Sequence, residues 1–333
     1  DHRDLHSFPT RRSSDLLSRS NRMLVKEAYE RGVEFEILPK RRFRMSHGGK
    51  SYLVRRGKIT HAYNSKLAVK STNMKEVTSR LLRSKNHPAP ENTVFHKDDI
   101  ERAWNWAKPI LPVVIKPYNG TMGKLVFVNI DKYNEFKECF LKVTEKHDYV
   151  LIEQFIKGEE YRFTYVKNEI VAIAQRIPAN VVGDGIHTIK QLIDLKNNER
   201  EIRKNPIHKK ILLDEESIRV LKKHGFTSDD IPKVGERINL RDNSNVSTGG
   251  DAIDVTDCIS DDTKEIVRKA IKSIPGLRVC GVDVLINNND INILEINTHP
   301  MLSMHHFPWQ GEKHDVIGKV IDAMFPKTKS NRT

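Results

Sequence analysis

The stretch "GVDVLINNNDINILEINTHP", residues 281–300, sets Asp283, Glu295 and Asn297 among valines, leucines and isoleucines. It reads as two aliphatic strands around an asparagine-rich turn. An ionised carboxylate in apolar surroundings costs several kcal/mol unless something compensates it. Register decides whether the three side chains can act together. A two-residue turn leaves Asp283 and Glu295 on opposite faces. A three-residue loop at 288–290 sets Asp283 opposite Glu295, and Asn297 falls on the same face because side chains alternate along a strand. Three oxygen donors with no sulfur suit Mg²⁺ that also holds substrate phosphates, and the metal would then supply the compensation. Solvated acids on a surface hairpin, or a salt bridge to a lysine, are the alternatives these residues leave open.

Two further stretches carry groups suited to phosphate and nucleotide. In "VVIKPYNGTMGKLVFV" Lys116 ends a strand, and a loop with Gly120, Thr121, Gly123 and Lys124 leads to the next. Glycines let backbone N–H groups curl around phosphate oxygens, and a lysine adds a point charge. The spacing is not GxxxxGK[ST], and a plain glycine turn is the competing reading. In "VLIEQFIKGEEYRF" an apolar strand ends in Glu153-Gln154, and Gly158 introduces Glu159-Glu160. Such a linker between lobes can offer backbone groups to an adenine edge and a glutamate to ribose hydroxyls; a strand with a charged turn is the alternative.

The elements that must position these groups follow from periodicity and punctuation. A helix is predicted from Ser20 to Arg31 with a stop at Gly32, then a strand "EFEIL" and a hairpin around Gly48-Gly49. A helix "NMKEVTSRLLRSKN" ends before the proline-marked break "HPAPEN". Residues 17–90 thus form a first lobe. A small α/β unit over 91–156 holds the helix "DDIERAWNWA", the lysine-tipped strand, a helix from Tyr133 and the strand "YVLIEQFI". Residues 157–328 form a larger lobe, with strands from Glu160 and Glu169, a helical insertion near 188–225, a long loop over 240–257, a helix from Asp262 to Ile274, the ribbon, and a last helix near 312–325. Antiparallel sheets with flanking helices make the class α+β.

With 333 residues, 38% hydrophobic and 30% charged, the chain suits a soluble globular protein of two or three lobes. No apolar run approaches the ~20 residues of a membrane span, and no membrane partner is expected. The opening "DHRDLHSFPTRRSSDLL" has no apolar signal region and resembles translated adapter sequence, so residues 1–16 are set aside as non-native or disordered. Cys139, Cys258 and Cys280 stand far apart without CxxC pairing, which excludes a disulfide framework and points to the cytoplasm. The net charge of +13 is uneven: residues 23–90 hold 16 Lys/Arg against 5 Asp/Glu, whereas 91–333 hold 36 against 36. A basic amino-terminal face suits a solvated surface or an anionic partner; nucleic acid is not the expected one.

In their order, "K-P-x-x-G-x-x-G-K", "IEQFIKGEEYR" and "D…LEIN" resemble the ATP-grasp superfamily of carboxylate–amine ligases. "RIPANVVGDGIHTIKQLIDLKN" and "NVSTGGDAIDVTD" are similar to the ATP-grasp modules of cyanophycin synthetases and bifunctional glutathione synthetases, and the likeness spans about 70–330. The resemblance implies two α+β lobes gripping ATP, preceded by a small amino-terminal lobe. It implies that Lys75 and Lys116 hold ATP phosphates under the 120–124 loop. Glu153, Gln154, Phe155 and Ile156 would form the adenine hinge, and Glu160 would bind ribose. Arg176 would be a cation near the phosphates, and Asp283, Glu295 and Asn297 would hold two Mg²⁺ ions, with Mn²⁺ as the alternative ion. D-alanine–D-alanine ligases carry an arginine where this chain has Gly281, so Arg162 and Arg241 are candidate replacements. Met74 also stands where the family often has aspartate.

The implied reaction joins a carboxylate to an amine through an acyl phosphate, releasing ADP and phosphate, on small-molecule or peptide substrates. Relatives join glycine to γ-glutamylcysteine, or aspartate to a growing peptide. The histidines of "MHHFP" are expected in the pocket wall rather than on metal. No second "GxxGK[ST]" region or glutamate–cysteine ligase region is present, so a stand-alone module or a fragment is expected. A basic module binding nucleic acid or another anionic polymer, or a non-catalytic nucleotide-binding protein, are the rival functions. Oligomeric state is not legible.

Overall fold

The Ser18 hydroxyl accepts the Asn21 N–H at 3.4 Å and starts helix α1 (Arg19–Glu30), whose buried face carries Leu24, Val25 and Ala28. The computed structural model describes residues 17–120 and 125–331; the tail over 1–16 and Thr121, Gly123 and Lys124 of the glycine loop lie outside the described residues. Strands β1 (Glu34–Leu38), β2 (Arg42–His47) and β3 (Lys50–Arg55) form an antiparallel sheet in that order. Two short helices without a sequence signal, α2 (Ile59–Tyr63) and α3 (Lys66–Thr72), precede the expected α4 (Lys75–Ser84).

A four-stranded antiparallel sheet follows, made of β4 (Asn92–His96), β5 (Val113–Pro117), β6 (Phe127–Ile130) and β7 (Tyr149–Gln154) in the order β4-β7-β5-β6. Helices α5 (Ile100–Ala107) and α6 (Tyr133–Thr144) cover it through Ala103, Phe136 and Phe140.

Strands β8 (Glu159–Val166) and β9 (Glu169–Ile177) begin the larger sheet. The insertion then contributes a two-stranded piece, β10 (Asn180–Val182) with β11 (Arg237–Asn239), and helices α7 (Ile189–Arg203) and α8 (Glu215–Lys223). Both helices open with reciprocal caps, Thr188 with Gln191 and Asp214 with Ser217. The long loop read over 240–257 contains a strand, β12 (Asp251–Asp254), recruited by pairing with β9. Helix α9 (Asp261–Lys272), strands β13 (Val279–Asn287) and β14 (Asp290–Asn297), and helix α10 (Val316–Met324) complete the chain, and the sheet runs β12-β9-β8-β13-β14.

The ribbon reaches its register by a route the sequence did not suggest. Asn287 pairs with Asp290 across a two-residue turn, with Asn288 at φ 53°, a left-handed conformation asparagine tolerates. The extra residue lies in the strand instead. Pairing steps from Val284–Ile293 to Asp283–Glu295, leaving Leu294 as a bulge. The three-residue loop is therefore corrected, while Asp283 still stands opposite Glu295.

Side chains from the first 90 residues enter two cores. Leu24, Met45, Val54 and Ile59 pack with Val320 and Ile321 of α10 and with Val279. Ala68 and Leu82 pack instead with Phe163, Val282 and Ile293 of the large sheet and Val267 of α9. Among the described residues no helix is long and apolar enough to cross a membrane.

Candidate active site

Directly paired residues of antiparallel strands share a face, and every second residue returns to it. On the large sheet this places Arg162, Asp283 and Glu295 in one row across β8, β13 and β14. The neighbouring row holds Arg176 and Glu160, and the row on the other side holds Thr164, Gly281 and Asn297. Five of the sequence-designated residues thus meet on one face with Arg162.

Their charges are matched by side chains. Arg162 grips Asp283 with two bonds, Nε to Oδ1 at 2.5 Å and Nη2 to Oδ2 at 3.0 Å. Arg176 pairs with Glu160 and lies 3.6 Å from Asp283, while the Ser244 hydroxyl also donates to Glu160. Lys75, at the start of α4, reaches Glu295 at 3.1 Å. Burial alone would raise the Asp283 carboxyl, but the guanidinium groups of Arg162 and Arg176 hold it below the usual carboxylate range. Burial also opposes the Arg162 charge, and Asp283 overcomes it and raises that pKa. Glu160 is pushed up, first by burial. The compensation assigned from sequence to a metal is thus supplied here by two arginines and a lysine.

Among the described residues no three His, Cys, Asp or Glu side chains converge as a metal cage. The donor set at hand is two carboxylates and an amide on one face. Asn297 Oδ1 accepts the His299 N–H at 2.8 Å, and the Glu295 side chain is 37% exposed. Oxygen-only donors with an accessible carboxylate fit a hard divalent ion. The buried Arg176 Nε, with no partner among the described residues, is a donor still to be satisfied.

On the small sheet, Lys116 meets Glu153 at 2.6 Å, and Asn92 ties the other Glu153 oxygen to Ser79. Not every hinge candidate has an unengaged backbone N–H. The Gln154 N–H is taken by the Glu91 carbonyl at 2.8 Å and the Phe155 N–H by that of Pro112 at 2.9 Å, whereas the Ile156 N–H has no partner among the described residues. Gly120 closes a turn onto Pro117. Helix α4 joins the two sheets, since Lys75 holds Glu295 and the adjacent Glu76 accepts the Tyr118 hydroxyl at 3.2 Å.

Arg241 lies elsewhere. It donates to Asp214 and Ser217 at the start of α8, so it fixes the insertion rather than joining Asp283. Arg162 takes the space that Gly281 leaves free, because a Cβ on Gly281 would stand 2.8 Å from Arg162 Cδ. His305 is buried against the Thr164 hydroxyl at 2.7 Å, and burial pulls its pKa down to about 3. His306 accepts the Ile317 N–H at 3.1 Å. Sequence reading missed the first lobe's reach into the site. His61 bonds Thr298 at 3.1 Å and stacks edge-on with His299, while Thr60 bonds the Thr298 carbonyl at 2.7 Å. Nothing local in "ITHAY" signals this contact across more than two hundred residues.

Comparison with known proteins agrees with the motifs. The ATP-grasp domain family model matches residues 72–302. The chain is 33% identical over 327 residues to the glutathione biosynthesis bifunctional protein of Streptococcus mutans, spanning 92% of this chain and 43% of that one. It is 31% identical to the cyanophycin synthetase of Trichormus variabilis, with 95% and 36% covered. A bifunctional glutathione synthetase from Pasteurella multocida superposes with a TM-score of 0.67 at 29% identity, over 94% of this chain and 45% of that one. The ATP-grasp ligase PsnB, at 13% identity and a TM-score of 0.55 over 94% of each chain, shares the fold. This chain spans less than half the length of the curated relatives it matches. On a family match over most of its length, the chain belongs to the ATP-grasp family.

Proposed function

We propose that this chain is an ATP-dependent carboxylate–amine ligase working through an acyl phosphate, with a small molecule or peptide as substrate. The observation that carries the reading is the row Arg162–Asp283–Glu295, closed by Lys75 of α4, the helix that also bonds the small-sheet segment through Glu76–Tyr118 and Ser79–Asn92. A substrate carboxylate oxygen attacks the γ-phosphorus of ATP and ADP leaves. The amine then attacks the acyl carbon, phosphate leaves with the C–O electrons, and the amine gives up a proton.

Lys75 and Lys116 would take the ATP phosphates, each exchanging a carboxylate partner for a phosphate oxygen. The Ile156 N–H would read the adenine edge. Arg162 and Arg176 would stabilise charge on the transferring phosphoryl group and the acyl phosphate, already oriented by Asp283 and Glu160. Glu160 would position Arg176 through one oxygen while the Ser244 hydroxyl holds the other. Asp283, Glu295 and Asn297 would hold Mg²⁺, which when bound neutralises phosphate charge. Free Cys139, Cys258 and Cys280 support a cytoplasmic setting.

Glu295→Ala tests this. With Mg-ATP and a screen of amino acids and short peptides as donor–acceptor pairs, wild-type protein releases ADP, and the variant loses roughly 10²–10³-fold in rate. Full turnover by the variant sinks the assignment.

A further inference from the structure

The amino-terminal sheet ends in an arrangement that folding alone disfavours. Lys40 and Arg41 form the β1–β2 turn at φ 60° and 53°, and Arg56 follows β3 at φ 49°. Such positions favour asparagine or glycine, and long side chains there are strained. The Arg56 N–H donates to the Arg41 carbonyl at 2.8 Å, drawing the two corners together. Arg42 and Arg55 are also direct cross-strand partners, a like-charge pairing that opposes the sheet.

Lys40, Arg41, Arg55, Arg56 and Lys58 are exposed, and none forms an ion pair with an acid among the described residues. One step along the same face the pattern is ordinary, with Arg44 held by Glu36 at 2.8 Å. Strain and like charge are therefore concentrated at a single edge.

That edge leads to the site. Gly57 and Lys58 carry the chain into α2, whose His61 faces His299 with ring centroids 5.7 Å apart. Lys58 is the residue that caps α2, three positions before His61. His299 in turn donates its N–H to Asn297.

We infer that the ridge Lys40–Arg41–Arg55–Arg56–Lys58 docks an acidic peptide substrate, an extended chain with several side-chain carboxylates whose reacting end enters beside His299. This rests on the ligase reading. Carboxylates suit the ridge better than nucleic acid does, because Phe35, Phe43 and Tyr52 of this sheet pack toward the core and offer no platform for bases.

The test uses the full chain with Mg-AMPPNP, fluorescein-labelled hexaglutamate and anisotropy at low and moderate salt. Wild-type protein is expected to bind hexaglutamate and not hexalysine. Arg41→Glu/Arg56→Glu should weaken hexaglutamate binding about tenfold or more, with nucleotide affinity and melting temperature unchanged. Equal binding by the double variant, no binding by wild type, or tighter binding of a single-stranded oligonucleotide of equal charge overturns the ridge. Nucleotide affinity and ADP release with short neutral substrates, read on the same samples, tell that failure from a failure of the ligase reading.

Discussion

Two clusters of charge lie on the large lobe, and they are put together differently. At the base of the insertion, Asp251 accepts from Lys196 and Arg200, each at 2.6 Å, and from Asn180. Trp309 backs these cations, with Arg203 stacked 4.2 Å from its ring. Asp251, Arg200 and Lys196 are 4%, 3% and 14% exposed, so every member of the cluster is largely shielded from water. On the face of the candidate site, exposure is graded. It rises from 6% and 11% at Arg162–Asp283 to 27% and 37% at Lys75–Glu295. A closed cluster holds its partners because none can be exchanged. A graded one shields its inner pair and leaves its outer pair within reach of solvent, where the proposed exchange of an acid for a phosphate would take place.

The largest expected effect breaks the closed cluster. Asp251→Ala strands two buried cations and should lower unfolding free energy by about 3–5 kcal/mol. Glu295→Ala, at the open end, should cost under about 1 kcal/mol of stability while removing turnover. Urea titration of the two variants decides; equal losses would end the contrast.

Gly281→Ala comes next. The new methyl meets Arg162 Cδ and Pro300 Cβ, both at 2.8 Å, so the guanidinium must leave its place. A stability loss of about 1–3 kcal/mol is expected from overpacking, with ADP release falling further than that in free-energy terms. Unchanged turnover would show that the position of Arg162 is immaterial.

Acid should separate the clusters more gently. His208, which accepts the Ala252 N–H beside Asp251, is pulled down to about 4, first by burial. Its folded pKa lies below the unfolded value of about 6.5, so its stabilising contribution is complete above that pH and is lost progressively toward about 4. Asp283 is held below the ordinary carboxylate range, so its contribution is lost only under more acidic conditions, as pH falls from its unfolded pKa through that depressed value. Urea titrations across pH 4.5–7 should show a slope that His208→Gln flattens by roughly 1–2 kcal/mol. An unaltered slope assigns the acid sensitivity elsewhere.

Much of this was readable from residue types. The apolar spacing of α1 with its stop before Gly32, the run of α9 and the ribbon's two strands lie where the pattern puts them, to within a residue or two. What was not readable depends on partners distant in sequence. β12 is a strand only because β9 lies alongside, and Phe155 cannot offer its N–H because Pro112 claims it. A lone arginine does not reveal which acid it will meet, so Arg241 could not be told from Arg162 before both were placed. The bulge at Leu294 is similar, since one strand's composition does not announce a residue its neighbour fails to match.

The stacking of Arg203 on Trp309 has a practical side. The chain has three tryptophans, and Trp104 and Trp106 both belong to α5 on the small sheet. Trp309 alone sits in the large lobe, wrapped by cations, with its carbonyl held by Arg203. Indole emission is therefore divided between the small sheet's helix and the cation cluster beside the large sheet, giving the protein a built-in optical gauge for each.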